Sequence, residues 1–404
     1  MLGLAGACNR NCHMSTIFEK AQRVGPHTHV LIVGVDAYDH AEGGGGERSE
    51  WHLARDLIQL TSPSQSALAL AEWFVRRPLN NPVAPLGSVE LLVSDRGYIA
   101  GANPATFENV QAAFLRWFKR SDENEGNVAI FYFCGHGVHT GEDQYLLFQD
   151  FGRDPEQPWA SALDISGTML SVSTHCRAKS QIYFLDTCRT IVDRPQFKYD
   201  RRPETWPKRP AAMSKAKGKT RYMLQPAGLG QTVWAYHSQP SPFCQALIQA
   251  LQGLAAVKTE DDQWVIGVQG LKPAIQAALE RCFDTPNLGF EVYEEYAGSN
   301  RIIHTLIDPP IVWVRLRCLP PEALKVALFF LEVESSNGTS NRAQLNGRAT
   351  VDRGFWETQA VADLYWYGAS FADPRFQSYK SRRPVAIAPP IFPVRFSVTL
   401  VSAE

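Results

Sequence analysis

The sequence predicts an α/β fold: a mostly parallel sheet sandwiched by helices, followed by a small all-β, sandwich-like C-terminal domain. Three observations predict it. Apolar runs at 29–35, 89–94, 128–134, 181–185 and 232–237 alternate with stretches of helical periodicity, the pattern of βαβ units. Two of those runs end abruptly in polar or glycine residues, as buried parallel strands do where their tips open onto a site. From about residue 311 the texture changes to short β-like runs broken by Pro and Gly.

Composition narrows the class. The chain has 404 residues, enough for two or three domains. A hydrophobic content of 45% with 20% charged residues is that of an ordinary globular protein. A formal net charge of −1 argues against a nucleic-acid partner. No run of about 18 apolar residues occurs, so no membrane span is expected. The eight cysteines are scattered, as thiols of a reducing compartment are, and a cytoplasmic location is expected. Leu4-Ala5-Gly6-Ala7-Cys8 lacks the basic and apolar regions of a leader, and Met14 is a second candidate start.

In chain order, residues 1–27 read as an N-terminal extension and 28–307 as the α/β domain. The first strand, 29–35, ends at Asp36, Tyr38 and His40, followed by the four glycines 43–46. Ser64 can cap a helix with Ala67, Leu70, Ala71 and Phe74 on one face. Residues 89–94 form the second strand. Thr106 can cap another helix, with Phe107, Val110, Phe114, Trp117 and Phe118 at helical spacing. Strand three is 128–134, a short strand covers 145–149, strand four is 181–185 and strand five 232–237. Helices at 243–251 and 271–281 follow. Between strands four and five, residues 194–221 carry ten Lys or Arg against Asp200 and Glu204, with four prolines. That composition predicts a mobile basic loop, taken as 194–228. Residues 308–404 form the β-rich C-terminal domain.

The chemistry sits at the two strand tips. One tip is Phe131-Tyr132-Phe133-Cys134-Gly135-His136-Gly137; the other is Ile182-Tyr183-Phe184-Leu185-Asp186-Thr187-Cys188-Arg189. Right-handed crossovers bring His136 and Cys188 to one sheet edge. A Cys and a His so placed form a thiolate–imidazolium pair, the activated nucleophile of cysteine catalysis. The blander alternative is a buried structural thiol. Gly137 fits an oxyanion role with the backbone N–H of Cys188, free of side-chain interference. His139 is expected to flank the cleft. Metal chemistry is the rival, but no CxxC or regular zinc spacing relates Cys134, His136, His139, His175 and Cys176.

On these motifs the sequence resembles the caspase-like cysteine proteases, above all the bacterial caspase-family and metacaspase-like branch. The His lies 52 residues before the Cys, at positions 136 and 188, and a Cys-Arg pair is present. Asp186, two before the Cys, matches the metacaspase habit. The resemblance covers roughly 28–300 and implies an endopeptidase acting on peptide or protein substrates. It implies that Asp186 lines the pocket for a basic side chain just before the cut. Where metacaspases carry a second acid, this chain has Ser66, in Leu60-Thr61-Ser62-Pro63-Ser64-Gln65-Ser66-Ala67. Asp36 and Ser238 complete the substrate-binding expectation, Ser238 by pairing with an extended peptide at the fifth strand.

The resemblance also leaves calcium dependence open. Asp150 and Asp154 lie in one loop, but no EF-hand pattern is present and no cofactor is otherwise expected. Bacterial relatives act in stress or anti-phage cell death. A homodimer, or a regulatory partner held by the C-terminal β domain, stays open. So does the alternative of a catalytically silent scaffold working through that domain.

Overall fold

The computed structural model describes residues 15–76, 80–94, 103–141, 143–157, 159–187, 190–191, 203–208, 218–226, 239–282, 291–333, 344–350 and 353–400. The elements of the first part are β1 (Thr16–Glu19), β2 (Thr28–Val35), α1 (His52–Arg55), α2 (Pro63–Arg76), β3 (Leu86–Ser94) and α3 (Phe107–Ser121). Next come β4 (Val128–Gly135), β5 (Gly137–Thr140), β6 (Asp143–Leu147), β7 (Ala162–Asp164), α4 (Ile165–His175), β8 (Ser180–Thr187) and β9 (Thr190–Ile191). Then follow β10 (Thr220–Gln225), α5 (Pro242–Gln249), β11 (Ala256–Lys258), β12 (Trp264–Gly267), α6 (Val268–Cys282), β13 (Tyr293–Ala297) and β14 (Ile302–Thr305).

The central sheet has seven strands in the order β1-β3-β2-β4-β8-β10-β13. Its five inner strands are parallel, and the two edge strands β1 and β13 run antiparallel. Strands β2, β3, β4 and β8 are buried along their whole length, which is why they read as unbroken apolar runs rather than alternating ones. Helix α2 covers one face. Its buried stripe includes Ala67, Leu70, Ala71 and Phe74, the face its periodicity predicts. It crosses so close that a Cβ at Gly34 would stand 2.5 Å from the Pro63 carbonyl oxygen. Helix α3 covers the other face, capped by Thr106, with Val110, Phe114, Trp117 and Phe118 buried. The mixed sheet flanked by helices is therefore as the sequence predicts.

Residues 16–19, which the sequence assigns to an extension, form edge strand β1. A buried ion cluster holds it: Glu90 of β3 accepts from Ser15 Oγ at 2.7 Å, Thr16 Oγ1 at 2.8 Å, Arg116 Nη2 at 3.0 Å and Arg120 Nη1 at 2.5 Å. Residues 1–14 lie outside the described residues.

The mobile loop at 194–228 is corrected in two places. Residues 220–225 are strand β10, paired parallel to β8 inside the sheet. Tyr222, Met223 and Leu224 are buried, and Lys219 is spent on the helix end before it. Its Nζ donates to the Ser173 and Cys176 carbonyls at the end of α4. Residues 203–208 are anchored as well. Trp206 is fully buried against Phe107, Phe114 and Phe148. Its indole N–H donates to Glu204, and the Glu204 carbonyl accepts from Asp164 N at 2.9 Å. Burying one large aromatic is worth about 1.5–3 kcal/mol, enough to hold a short basic segment down. The rest of the loop, and the fifth strand expected at 232–237, lie outside the described residues.

The chain divides into two interleaved compact units, 1–248 with 278–304, and 249–277 with 305–404. Residues 249–277, which the sequence assigns to the α/β domain, thus group with the later unit. The second unit adds β15 (Ile311–Leu319), α7 (Pro321–Val326), β16 (Ala327–Val333), β17 (Gln344–Gly347), β18 (Trp356–Val361), β19 (Leu364–Phe371), β20 (Tyr379–Lys380), β21 (Val385–Ala386) and β22 (Ile391–Ser397). Two further sheets result, β18-β15-β22 and β17-β16-β19-β20, and they share one core. Alternation decides which residues enter it: Val312, Val314, Leu316 and Cys318 of β15 point in, while Ile311 and Arg317 stay exposed. Phe329 of β16 stacks on Trp356 of the facing sheet.

Candidate active site

His136 is the single residue between β4 and β5. The chain does not stop at the strand tip: β5 starts at Gly137 and pairs with β6, in a side sheet ordered β7-β6-β5-β9. His139 therefore does not flank a cleft. It is buried within β5, opposite Gln144.

The half-buried imidazole of His136 is held from two sides. Its Nε2 donates to the Ile58 carbonyl at 2.8 Å. Its backbone N–H donates to the Tyr38 hydroxyl at 2.7 Å, and the Tyr38 ring packs against the imidazole with centroids 4.8 Å apart. Burial pulls the proton affinity of His136 below the ordinary histidine value, and the Ile58 carbonyl offsets this only in part. The imidazole is therefore neutral at neutral pH, with its proton on Nε2, because a carbonyl can only accept. Nδ1 keeps its lone pair.

Cys188 and Ser238 lie outside the described residues. The residues beside Cys188 are described. Thr187 ends β8 opposite Gly135, and Thr190 starts β9 opposite Val138. Thr187 is clamped by Gln225 Nε2 at 2.9 Å and Gln144 Nε2 at 3.2 Å, both on its hydroxyl.

Asp186 is buried, on the same face of the sheet as Tyr132 and Cys134 across the strand pair. Its Oδ2 accepts from the Tyr132 hydroxyl at 2.8 Å and from the Ser241 hydroxyl. Ser66 stands behind: Ser241 N donates to its hydroxyl at 2.8 Å. So Ser66 positions Ser241. Oδ1 of Asp186 has no N–H or O–H partner among the described residues, and the Cys134 thiol lies beside the carboxyl group. Burial pushes the Asp186 carboxyl above its usual range, opposed by the Ser241, Tyr132 and Cys134 contacts. Burial also drives the Cys134 thiol and Tyr132 phenol far up, so both stay neutral donors.

Asp36, directly after β2, has another role. Its Oδ1 accepts from Ser64 N at 2.9 Å and its Oδ2 from the Ser64 hydroxyl, so it fixes the first turn of α2. Asp150 and Asp154 are likewise engaged with backbone. Asp150 accepts from Phe107 N at 2.8 Å, and Asp154 from Glu156 N and Gln157 N at 2.9 and 3.2 Å. Among the described residues no three His, Cys, Asp or Glu side chains gather as metal ligands do. No helix among them is long and apolar enough to cross a membrane.

Sequence reasoning missed Tyr38, Gln59, Tyr132, Ser241, Gln144 and Gln225. Only Gly135 offered a signal: a Cβ there would stand 2.9 Å from the Tyr38 hydroxyl, so a glycine before a strand-tip histidine marks a close neighbour.

A parallel sheet flanked by helices, with a histidine at one strand tip and an aspartate near the tip of the next, is a caspase-like arrangement. The chain belongs to the caspase domain family, which matches residues 29–263. It is 26% identical over 297 residues to the protein named "Uncharacterized protein y4kE" of Sinorhizobium fredii (strain NBRC 101917 / NGR234), covering 66% of this chain and 83% of that one. Among solved structures, protein GSU0716 of Geobacter sulfurreducens is similar over 68% of this chain and 94% of its own, at 14% identity and a TM-score of 0.41. Caspase-1 of Spodoptera frugiperda is similar over 72% and 92%, at 12% identity and a TM-score of 0.38.

Proposed function

We propose that the chain is a cysteine endopeptidase in which Cys188 is the nucleophile, His136 the base and then the acid, and Asp186 the receptor for an Arg or Lys side chain. The observation that carries it is strand register. Thr187 opposite Gly135 and Thr190 opposite Val138 mean that the residues flanking Cys188 run beside those flanking His136.

The chemistry follows from the imidazole. Nδ1 takes the thiol proton of Cys188, and the thiolate attacks the scissile carbonyl carbon. The N–H groups of Gly137 and Cys188 receive the developing oxyanion. The proton on Nδ1 passes to the leaving amine, and water then hydrolyses the acyl-enzyme, with His136 again as base. A neutral imidazole at neutral pH is the form this cycle needs at its start.

Asp186 supports the basic preference. A buried carboxylate is costly, its Oδ1 has no N–H or O–H partner among the described residues, and a guanidinium or ammonium arriving there would remove that cost. Asp36 then acts through Ser64 rather than on substrate. The test is cleavage of a peptide library by wild type, Cys188→Ala and His136→Ala, with and without calcium. Cuts after Arg or Lys, absent from both variants, are expected. A wild type that cuts nothing in either condition overturns the reading and leaves the scaffold alternative.

A further inference from the structure

We infer that Tyr38, held by Gln59, is a positioning residue for His136; the inference rests on the Cys188–His136 reading. Tyr38 is fully buried three residues beyond β2. It touches His136 twice, accepting the backbone N–H at 2.7 Å and packing its ring against the imidazole at 4.8 Å. The close approach depends on Gly135, whose missing Cβ would meet the Tyr38 hydroxyl at 2.9 Å and the Phe133 ring at 3.1 Å.

Gln59 closes the arrangement. Its Oε1 accepts from Tyr38 N at 2.9 Å, and its Nε2 donates to the Tyr38 carbonyl at 2.9 Å. The same Nε2 reaches the Glu42 carbonyl at 3.1 Å. Gln59 directly follows Ile58, whose carbonyl holds His136 Nε2. One short stretch of loop therefore grips the imidazole directly through Ile58 and indirectly through Tyr38. Ring orientation and the backbone of His136 are fixed by the same unit, which keeps the proton on Nε2 and aims Nδ1 for its task.

Tyr38→Phe keeps the ring and removes the acceptor, orphaning the His136 N–H. A displacement of about 1 Å at a reacting group costs about 10²-fold in rate. The experiment measures kcat per titrated active site, KM and thermal stability for wild type, Tyr38→Phe, Gln59→Met and His136→Ala. It also measures alkylation of Cys188 by iodoacetamide in each. The expected result for Tyr38→Phe is a fall of about 10- to 100-fold in kcat with KM within about twofold. Its alkylation rate should fall toward that of His136→Ala, and Gln59→Met should change in the same direction by less. If Tyr38→Phe does not fold, Gln59→Met decides. Lowered melting temperatures with wild-type kcat per titrated site in the folded variants overturn the inference and leave the Cys–His reading standing. A wild type that does not cleave, or a His136→Ala that cleaves like wild type, overturns both.

Discussion

The hydroxyl of Tyr132 donates to Asp186 Oδ2 at 2.8 Å from the neighbouring strand, three residues before the strand-tip Gly135. With Ser241 on the same oxygen, this contact holds one face of the carboxylate and leaves Oδ1 without an N–H or O–H partner among the described residues. A buried acid so held costs stability when it is charged.

Asp186→Asn therefore has two expected outcomes. The raised folded pKa means that the cost of burying the charge is fully present above that pKa and is relieved as pH falls through it. Asn carries no charge, so the variant gains stability at neutral pH; each 1 kcal/mol recovered raises Tm by about 2–4 °C. It also loses its preference for Arg and Lys peptides over neutral ones, by about 2–5 kcal/mol of discrimination. Equal losses on basic and neutral peptides, read from kcat/KM, reassign Asp186 to a structural role.

Cys188→Ala and His136→Ala are each expected to remove essentially all peptidase activity. If the two act as one unit, as proposed, the double variant is no worse than either single one. Single-turnover assays of the three variants check this; additive losses would separate the residues.

The acid limb of kcat/KM is expected below the ordinary histidine value of 6.5, because burial favours neutral His136 and its basic form persists to lower pH. A pH profile on an uncharged reporter peptide measures it. A limb above 6.5 would mean that the Ile58 carbonyl, which raises the value, outweighs burial.

Arg120→Ala is expected to cost about 1.5–3 kcal/mol, since buried Glu90 loses one charged partner while keeping Arg116. Burial works against the Glu90 charge, but bonds from Arg116, Arg120 and Ser15 outweigh it and hold its carboxyl below 4.5. That contribution is present above the unfolded value and is lost as pH falls through the folded one. Urea titrations of wild type and variant at two pH values measure both effects.

Self-cleavage, if Asp186 selects basic residues, is expected after Arg201, Arg202, Arg209, Lys215 or Lys217. Lys219 and Arg221 are excluded: Lys219 caps α4, and Arg221 lies in β10 paired with Glu295. Pro203–Lys208 is excluded by the Trp206 anchor. Intact mass of wild type beside Cys188→Ala checks this. Fragments ending at Lys219 or Arg221, or a peptide-cutting wild type that stays full length, would refute it.

The sequence by itself determined the sheet and its tip. Strands buried on both faces are spelled as unbroken apolar runs, so β2, β3, β4 and β8 were legible, as was His136 at the point where such a run breaks. The α2 and α3 faces were legible because helical spacing of Ala67, Leu70 and Phe74, or of Phe114 and Trp117, has no other outlet than a core. Tertiary structure alone decided the rest. Local charge disguised β10, because Lys219 and Arg221 find their partners in α4 and β13 rather than nearby in sequence. Trp206 is an aromatic in a basic segment, and only the pocket of Phe107, Phe114 and Phe148 makes it an anchor. Tyr38 meets His136 from 98 residues away, and Ser241 meets Asp186 from 55. Such pairs leave no periodicity to read, because a hydrogen bond between distant residues constrains position in space and not spacing along the chain.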